Sequence, residues 1–181
     1  VTGGSGGSGP SHCTNGGSGG FAYGLDFTPP NTDRFNLDLD ALSVTSLRGG
    51  DGAAGAACAR DAPVGTVGGA GGNGGKAIGL FLEGGCGRFA STLCSIDGAT
   101  VGAVTGGDGG DGGACNARGL TPGTGGTGAN AFGIRRNSQS AVPTHSALQG
   151  PFAAGAGGVS GDGTHTAKAG QANATSTFTP T

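Results

Sequence analysis

The chain has 181 residues, of which 46 are glycine, with no tryptophan or methionine, one tyrosine and only 11% charged residues. Leu, Val, Phe and Ile together number 29, too few for a conventional oily core, yet a net charge of −2 is far from that of a charge-driven disordered chain. The 8 prolines and the broken glycine register exclude collagen. Scattered basic residues, adjacent only at Arg135-Arg136, leave no electrostatic footprint for nucleic acid, and no apolar run approaches the ~20 residues that span a bilayer.

Along the chain, glycine tracts at 3–20, 49–75, 106–128 and 155–163 alternate with more apolar inserts at 21–48, 76–105 and 129–154, followed by a C-terminal strand or tail at 164–181. The inserts open alike, as Phe21-Ala-Tyr-Gly-Leu, Lys76-Ala-Ile-Gly-Leu and Asn130-Ala-Phe-Gly-Ile. GGDGAAGAAC ending at Cys58 matches GGDGGDGGAC ending at Cys115, and the stretch ending at Cys13 is a looser copy. The pattern is an internal repeat of about three units plus a C-terminal half-unit without cysteine, in a single domain over 1–181.

Gly/Ser stretches usually behave as flexible linkers. These hold a three-residue period, recur in register with cysteines, and vary the third residue among Ser, Ala, Asp, Asn and Val. A polyproline-II-type helix also repeats every three residues, so its two bare glycine edges let neighbours approach and pair through backbone groups. The expected fold is all-β and non-regular: a disulfide-stapled bundle of polyglycine-II helices alternating with short antiparallel β-strand inserts, with essentially no α-helix. Candidate strands include FNLDL (35–39), LSVTSL (42–47), AIGLFLE (77–83), RFASTLCSI (88–96), ATVGAV (99–104) and AFGIRR (131–136), with weaker ones at SQSAVP and HSALQGPF; Thr175-Ser-Thr-Phe-Thr-Pro-Thr reads as a free tail or as a strand for a neighbour's sheet edge.

The cysteines are disulfide candidates. Cys86 and Cys94 are expected to staple one hairpin, while Cys13, Cys58 and Cys115 sit at tract ends, two pairing and one left free or joined to another subunit. Cysteines in so core-poor a chain place it outside the cell, secreted or at a cell or virion surface. A start at Val1 reads as a processed product.

Catalytic signals are weak. GGDGGD (106–111) matches the start of a calcium-binding repeat, but Gly113 replaces the large apolar residue, so Asp108 and Asp111 read as solvated edge residues. G-x-G-x-x-G strings lack a strand before and a helix after them. His12, His145 and His165 have only sequence-local hydroxyls, Ser11, Thr164 and Thr166 among them, and Asp38 with Asp40 lies on the solvent face of an expected strand. Asn173-Ala-Thr175 is a formal glycosylation sequon. No catalytic, cofactor or metal site is expected, and no enzyme.

The tracts GGAGGNGG (68–75) and GGDGGDGG (106–113) resemble those of polyglycine-II bundle proteins, such as glycine-rich snow flea antifreeze proteins and the glycine-rich tip adhesins of T-even-like phage tail fibres. Their mixture with segments such as STLCSIDGATVGAV (91–104) also looks like bacterial glycine-rich surface proteins. The resemblance is compositional and implies no functional residue. The first functional expectation is a structural, self-assembling extracellular protein (filament, pilus-like fibre or surface-layer subunit) whose partner is itself. The alternative is an extracellular binding module: an adhesin for a cell-surface receptor or glycan, using the loops at 29–34, 59–64 and 116–122, or an ice-binding protein, which needs a flat face of small residues where the third positions here mix Ser, Asp, Asn, Ala and Thr.

Overall fold

Equivalent positions of successive repeats lie side by side in the computed structural model, which describes residues 1–9, 12–27, 37–40, 42–82, 94–116, 118–137 and 147–178. Ten strands are described: β1 (Ala22–Phe27), β2 (Leu37–Asp40), β3 (Ser43–Arg48), β4 (Ala77–Leu82), β5 (Cys94–Asp97), β6 (Thr100–Thr105), β7 (Ala131–Asn137), β8 (Ala147–Leu148), β9 (Phe152–Ala153) and β10 (Ala172–Phe178). They form one sheet ordered β1-β4-β7-β10, a second in which β3 pairs β6 and β6 pairs β8 and β9, and the two-stranded β2-β5. The three insert openings are in register, Ala22 beside Ala77 beside Ala131, and Ala172 of β10 extends the row. No helix is assigned among the described residues.

Every ladder between these strands is parallel. This overturns the expected bundle with antiparallel inserts. Alternation read within one insert implies that sequence neighbours pair. Stacked repeats instead pair each strand with its counterpart in the next unit, which runs the same way. The C-terminal segment likewise pairs with β7 of its own molecule along Ala172–Phe178, as neither a free tail nor a strand lent to a neighbour.

The glycine tracts continue these sheets as eight described segments in two layers. Segments 3–9, 49–57, 106–114 and 155–161 form the upper layer; segments 16–20, 68–75, 123–129 and 165–170 form the lower. Within a layer, the N–H after each third residue donates to the next segment but one in sequence: Gly6 to Asp51, Gly52 to Asp108 and Gly109 to Ala156, at 2.8–2.9 Å. Between the layers the other glycine N–H donates backwards to an antiparallel segment, as Gly72 to Ala53, Gly110 to Gly72 and Gly126 to Gly110, all at 2.8 Å. In the inner segments both glycine N–H groups of the triplet are therefore used, and the third residue faces out.

Toward the strands the layers part to admit side chains. Val44, Leu47, Val101 and Val104 from the upper sheet meet Ala22, Ala77, Leu80, Leu82, Ala131 and Ile134 from the lower one in a single buried cluster. Gly24, Gly79 and Gly133 form a bare row in the lower sheet, and a Cβ there would run into Val44, Val101 and Phe152 respectively. Val44, Val101 and Phe152 thus seat on glycines.

A Cβ at Gly72 would overlap the Gly17 carbonyl oxygen, whereas one at Gly7 meets nothing within 4 Å. Gly72→Ala is expected to cost about 3 kcal/mol, at the top of the overpacking range, or to prevent folding. Gly7→Ala should leave stability unchanged or raise it by ~0.4–1 kcal/mol through the unfolded chain. Chemical-denaturation midpoints of the two variants check the contrast.

Candidate functional site

Because two residues of each triplet are committed to the lattice, whatever the glycine half presents to its surroundings comes from the third. On the lower face these residues form cross-segment rows. One runs Asn15, Ala70, Thr124; the next Ser18, Asn73, Thr127, Lys168; and the last Phe21, Lys76, Asn130, Gln171. Asn15, Ser18, Asn73, Thr124, Thr127, Lys168 and Gln171 are exposed. The upper face carries Ser5, Asp51, Asp108, Ala156 in one row and Ser8, Ala54, Asp111, Val159 in the next.

The N–H of a third residue points along the face, where no neighbouring carbonyl reaches it. Short acceptor side chains from the adjacent segment satisfy it. On the lower face the Asn15 Oδ1 accepts from the Ala70 N–H at 2.9 Å, Asn73 Oδ1 from Thr127 at 3.0 Å, and Asn130 Oδ1 from Gln171 at 2.8 Å. On the upper face Asp51 accepts from Asp108 at 2.9 Å, Asp108 from Ala156 at 2.7 Å, and Asp111 from Val159 at 2.8 Å. These clamps were not anticipated from the sequence. The available signal was Asn or Asp at third positions one repeat apart, with a chain carrying an N–H opposite. Asp108 and Asp111, expected only as solvated edge residues, are lattice acceptors.

Arg48 reinforces the acidic row. Its guanidinium meets the Asp51 carboxylate at 2.6 Å and that of Asp108 at 3.4 Å. The hydrogen bond from Arg48, then the backbone N–H of Asp108, hold the Asp51 carboxyl below the ordinary carboxylate range. The same bond to Asp51 leads the causes that raise Arg48.

Where the lower layer becomes sheet, the face turns aromatic and cationic. The Lys76 ammonium lies 5.8 Å from the Phe21 ring centre, and the Arg135 guanidinium lies 5.8 Å and 5.5 Å from the rings of Phe81 and Phe132. Phe21, Asn73, Lys76, Thr127 and Asn130 border a shallow depression of about 430 Å³.

The described histidine candidates, His12 and His165, do not converge. His12 sits in the turn before Cys13, His165 lies in the exposed turn after Asp162, and Ser11 and His145 lie outside the described residues. The Thr164 hydroxyl is 2.7 Å from His165 Nδ1, but it also donates to the Asp162 carboxylate at 2.7 Å. A hydroxyl that donates to the carboxylate is not handing its proton to the imidazole, so this is the hydrogen-bonding of a turn rather than a nucleophile with its base. Bonds from the Ser160 hydroxyl, then the Thr164 N–H and hydroxyl, bring Asp162 down to about 2. The backbones of Asp38 and Asp40 belong to β2, and Asn173 is exposed on β10. No group of three or more His, Cys, Asp or Glu among the described residues could hold a metal.

Cys58 and Cys115 form a disulfide across the tips of adjacent upper-layer segments, and Cys13 is a free thiol. The expected Cys86–Cys94 staple falls outside the described residues; only the Cys94 backbone, in β5, is described. Of the expected contact loops, 59–64 lies at the same end as the tips, 116–122 is described except residue 117, and 29–34 lies outside.

No protein-family model matches the chain, and no curated protein matches it. Among solved structures, it is similar to a springtail antifreeze protein from Granisotoma rainieri, titled as a nine polyproline type II helical bundle whose crystal waters match the ice lattice. The identity is 24% over 98% of this chain and 96% of that chain, with a TM-score of 0.25. A TM-score that low does not establish a shared fold.

The Asp51 shift sets a pH dependence. A carboxyl depressed in the folded state contributes stability that is complete above its unfolded value near ~3.9 and is lost as pH falls through the folded value. Both partners are more than a third exposed, so the pair is worth less than ~1 kcal/mol. Thermal melts should show part of the acid destabilisation missing in Asp51→Asn, which keeps the acceptor for the Asp108 N–H. Asp51→Ala should be less stable than Asp51→Asn at neutral pH.

Proposed function

We propose that this chain is a non-catalytic extracellular binding module, a rigid plate that applies its flat lower face to an extended, ordered polar surface. The observation that carries the reading is the rows Asn15, Ala70, Thr124 and Ser18, Asn73, Thr127, whose backbone spacing is set by the glycine lattice. Asn15 and Asn73 are already clamped to the neighbouring segment, so little side-chain freedom remains to be lost on contact. Small residues keep the face level. The disulfide supports an oxidising, extracellular setting. An ice plane is the first ligand to try, because it offers a periodic array of hydrogen-bonding groups.

Thermal hysteresis and partitioning into growing ice test it directly. Thr124→Tyr, which raises a bulky ring on the lower face, should cut both several-fold without altering the melting temperature. Ala54→Tyr on the upper face should leave both unchanged. Absence of hysteresis in the unmodified protein would retire ice as the ligand, and binding to surface glycans would then be measured with the same pair of variants.

A second reading, self-association as a structural subunit, is favoured by the edge at segment 3–9. There the N–H groups of Gly4 and Gly7 and the carbonyls of Ser5 and Ser8 have no partner among the described residues. The far edge is different. Thr166 and Ala169 stand where neighbouring segments have Gly125 and Gly128, and their side chains occupy the approach of a further segment. Association therefore proceeds through one edge. Sedimentation at increasing concentration should show a larger species that Gly7→Val abolishes; a monomer at every concentration rules this reading out.

A further inference from the structure

The tip cysteines lie just past the ends of three successive upper-layer segments, Cys58 and Cys115 at matching positions and Cys13 one residue further along, in the turn after segment 3–9. The Cys13 N–H donates to the Ala57 carbonyl at 3.3 Å, and the Cys58 N–H donates to the Ala114 carbonyl at 3.0 Å. The Cys13 backbone, left-handed with φ 63°, is thus bonded beside Cys58 as the Cys58 backbone is bonded beside Cys115, the single-segment step that the disulfide spans with Cα atoms 4.9 Å apart. Cys13 and Cys115 are two steps apart, beyond the ~7 Å Cα separation that a disulfide tolerates. Cys13 is half-buried, so it is reachable by solvent and reagents.

We propose that Cys13, Cys58 and Cys115 form a thiol–disulfide exchange row in which Cys58 is the shared sulfur and the free thiol is either Cys13 or Cys115. The Cys13 thiolate attacks Cys58 Sγ from the side opposite Cys115. The Cys13–Cys58 bond forms as the Cys58–Cys115 bond breaks, and Cys115 leaves with the bonding electron pair as a thiolate. The proton that Cys13 gave to solvent is matched by one taken up at Cys115, and no oxidant or reductant is consumed. Exchange moves the reactive thiol from the open edge of the upper layer to its third segment. Either terminal sulfur can then form a mixed disulfide with a small-molecule or protein thiol that arrives in oxidised form.

Native-state alkylation followed by peptide mapping without reduction tests this on the full chain. Cys115→Ser, equilibrated with glutathione disulfide, should contain a Cys13–Cys58 disulfide, with both sulfurs protected from alkylation. Cys58→Ser should leave Cys13 and Cys115 alkylated and unpaired with each other. Unmodified protein exposed to a trace of reduced glutathione should gain a Cys13–Cys58 fraction, a readout that does not depend on any variant folding. Free, alkylated Cys13 and Cys58 in Cys115→Ser, a Cys13–Cys115 bond in Cys58→Ser, or no Cys13–Cys58 species in the unmodified protein would each overturn the row.

Discussion

The two glycine layers are held at backbone-to-backbone distance by hydrogen bonds that leave no volume for a Cβ, and the rest of the molecule is built around that spacing. At Gly72, Gly110 and Gly126 the added atom would fall onto a carbonyl oxygen of another segment. Glycine loses more backbone freedom on ordering than any other residue. Here that entropic cost is offset by two N–H···O bonds per triplet, formed away from water in the middle of the double layer. The buried backbone groups are paired, as a protein interior requires. Compaction that other domains obtain from apolar side chains is obtained from main chain.

The same spacing dictates what happens where the layers open into sheets. Strands that continue the lattice start too close together for large residues on both inner faces. Ala22, Ala77 and Ala131 occupy the first row, and Gly24, Gly79 and Gly133 are hollows beneath Val44, Val101 and Phe152. Leu47 and Val104, two residues before the glycine tracts, stand over the alanine end of the lower sheet, and Leu80, Leu82 and Ile134 follow beyond the hollows. A 29-residue apolar complement suffices because half of the molecule does not draw on it.

The three openings at Phe21, Lys76 and Asn130 and the paired tracts ending at Cys58 and Cys115, alike in sequence, lie side by side in space. Direction was not legible. A stretch such as FNLDLDALSVTSL alternates equally well whether its partner is the next stretch or the next repeat. Only the stacking of units, a long-range property, makes β2 pair β5 and β3 pair β6. The place of the C-terminal strand in the row of insert openings was hidden for a different reason. In Gln171-Ala-Asn-Ala-Thr the hollow row is filled by Ala174 instead of glycine and the outer residues are polar, so its kinship with Asn130-Ala-Phe-Gly-Ile is carried by Ala172 alone. The face clamps at Asn15, Asn73 and Asp108 were visible as residues but not as acceptors, because their partners lie 48–55 positions away.

Since the lattice consumes two residues of every three, selection on function and selection on folding act on different positions within one triplet. An outward residue such as Thr124 or Ser18 can change without touching the layer, whereas a neighbouring glycine cannot. Asn and Asp at the third position are the exception. They belong to the exposed face and also close the last backbone donor, so they couple the chemistry of the face to the integrity of the plate beneath it. The two edges extend the argument sideways. A lattice of this kind has no intrinsic reason to stop, and stopping requires a side chain where the rule demands none. Thr166 and Ala169 supply it on one edge. Gly4 and Gly7 obey the rule on the other, where nothing in the chain demands it. Termination is therefore written into one edge and omitted from its opposite, which makes the plate directional across its width.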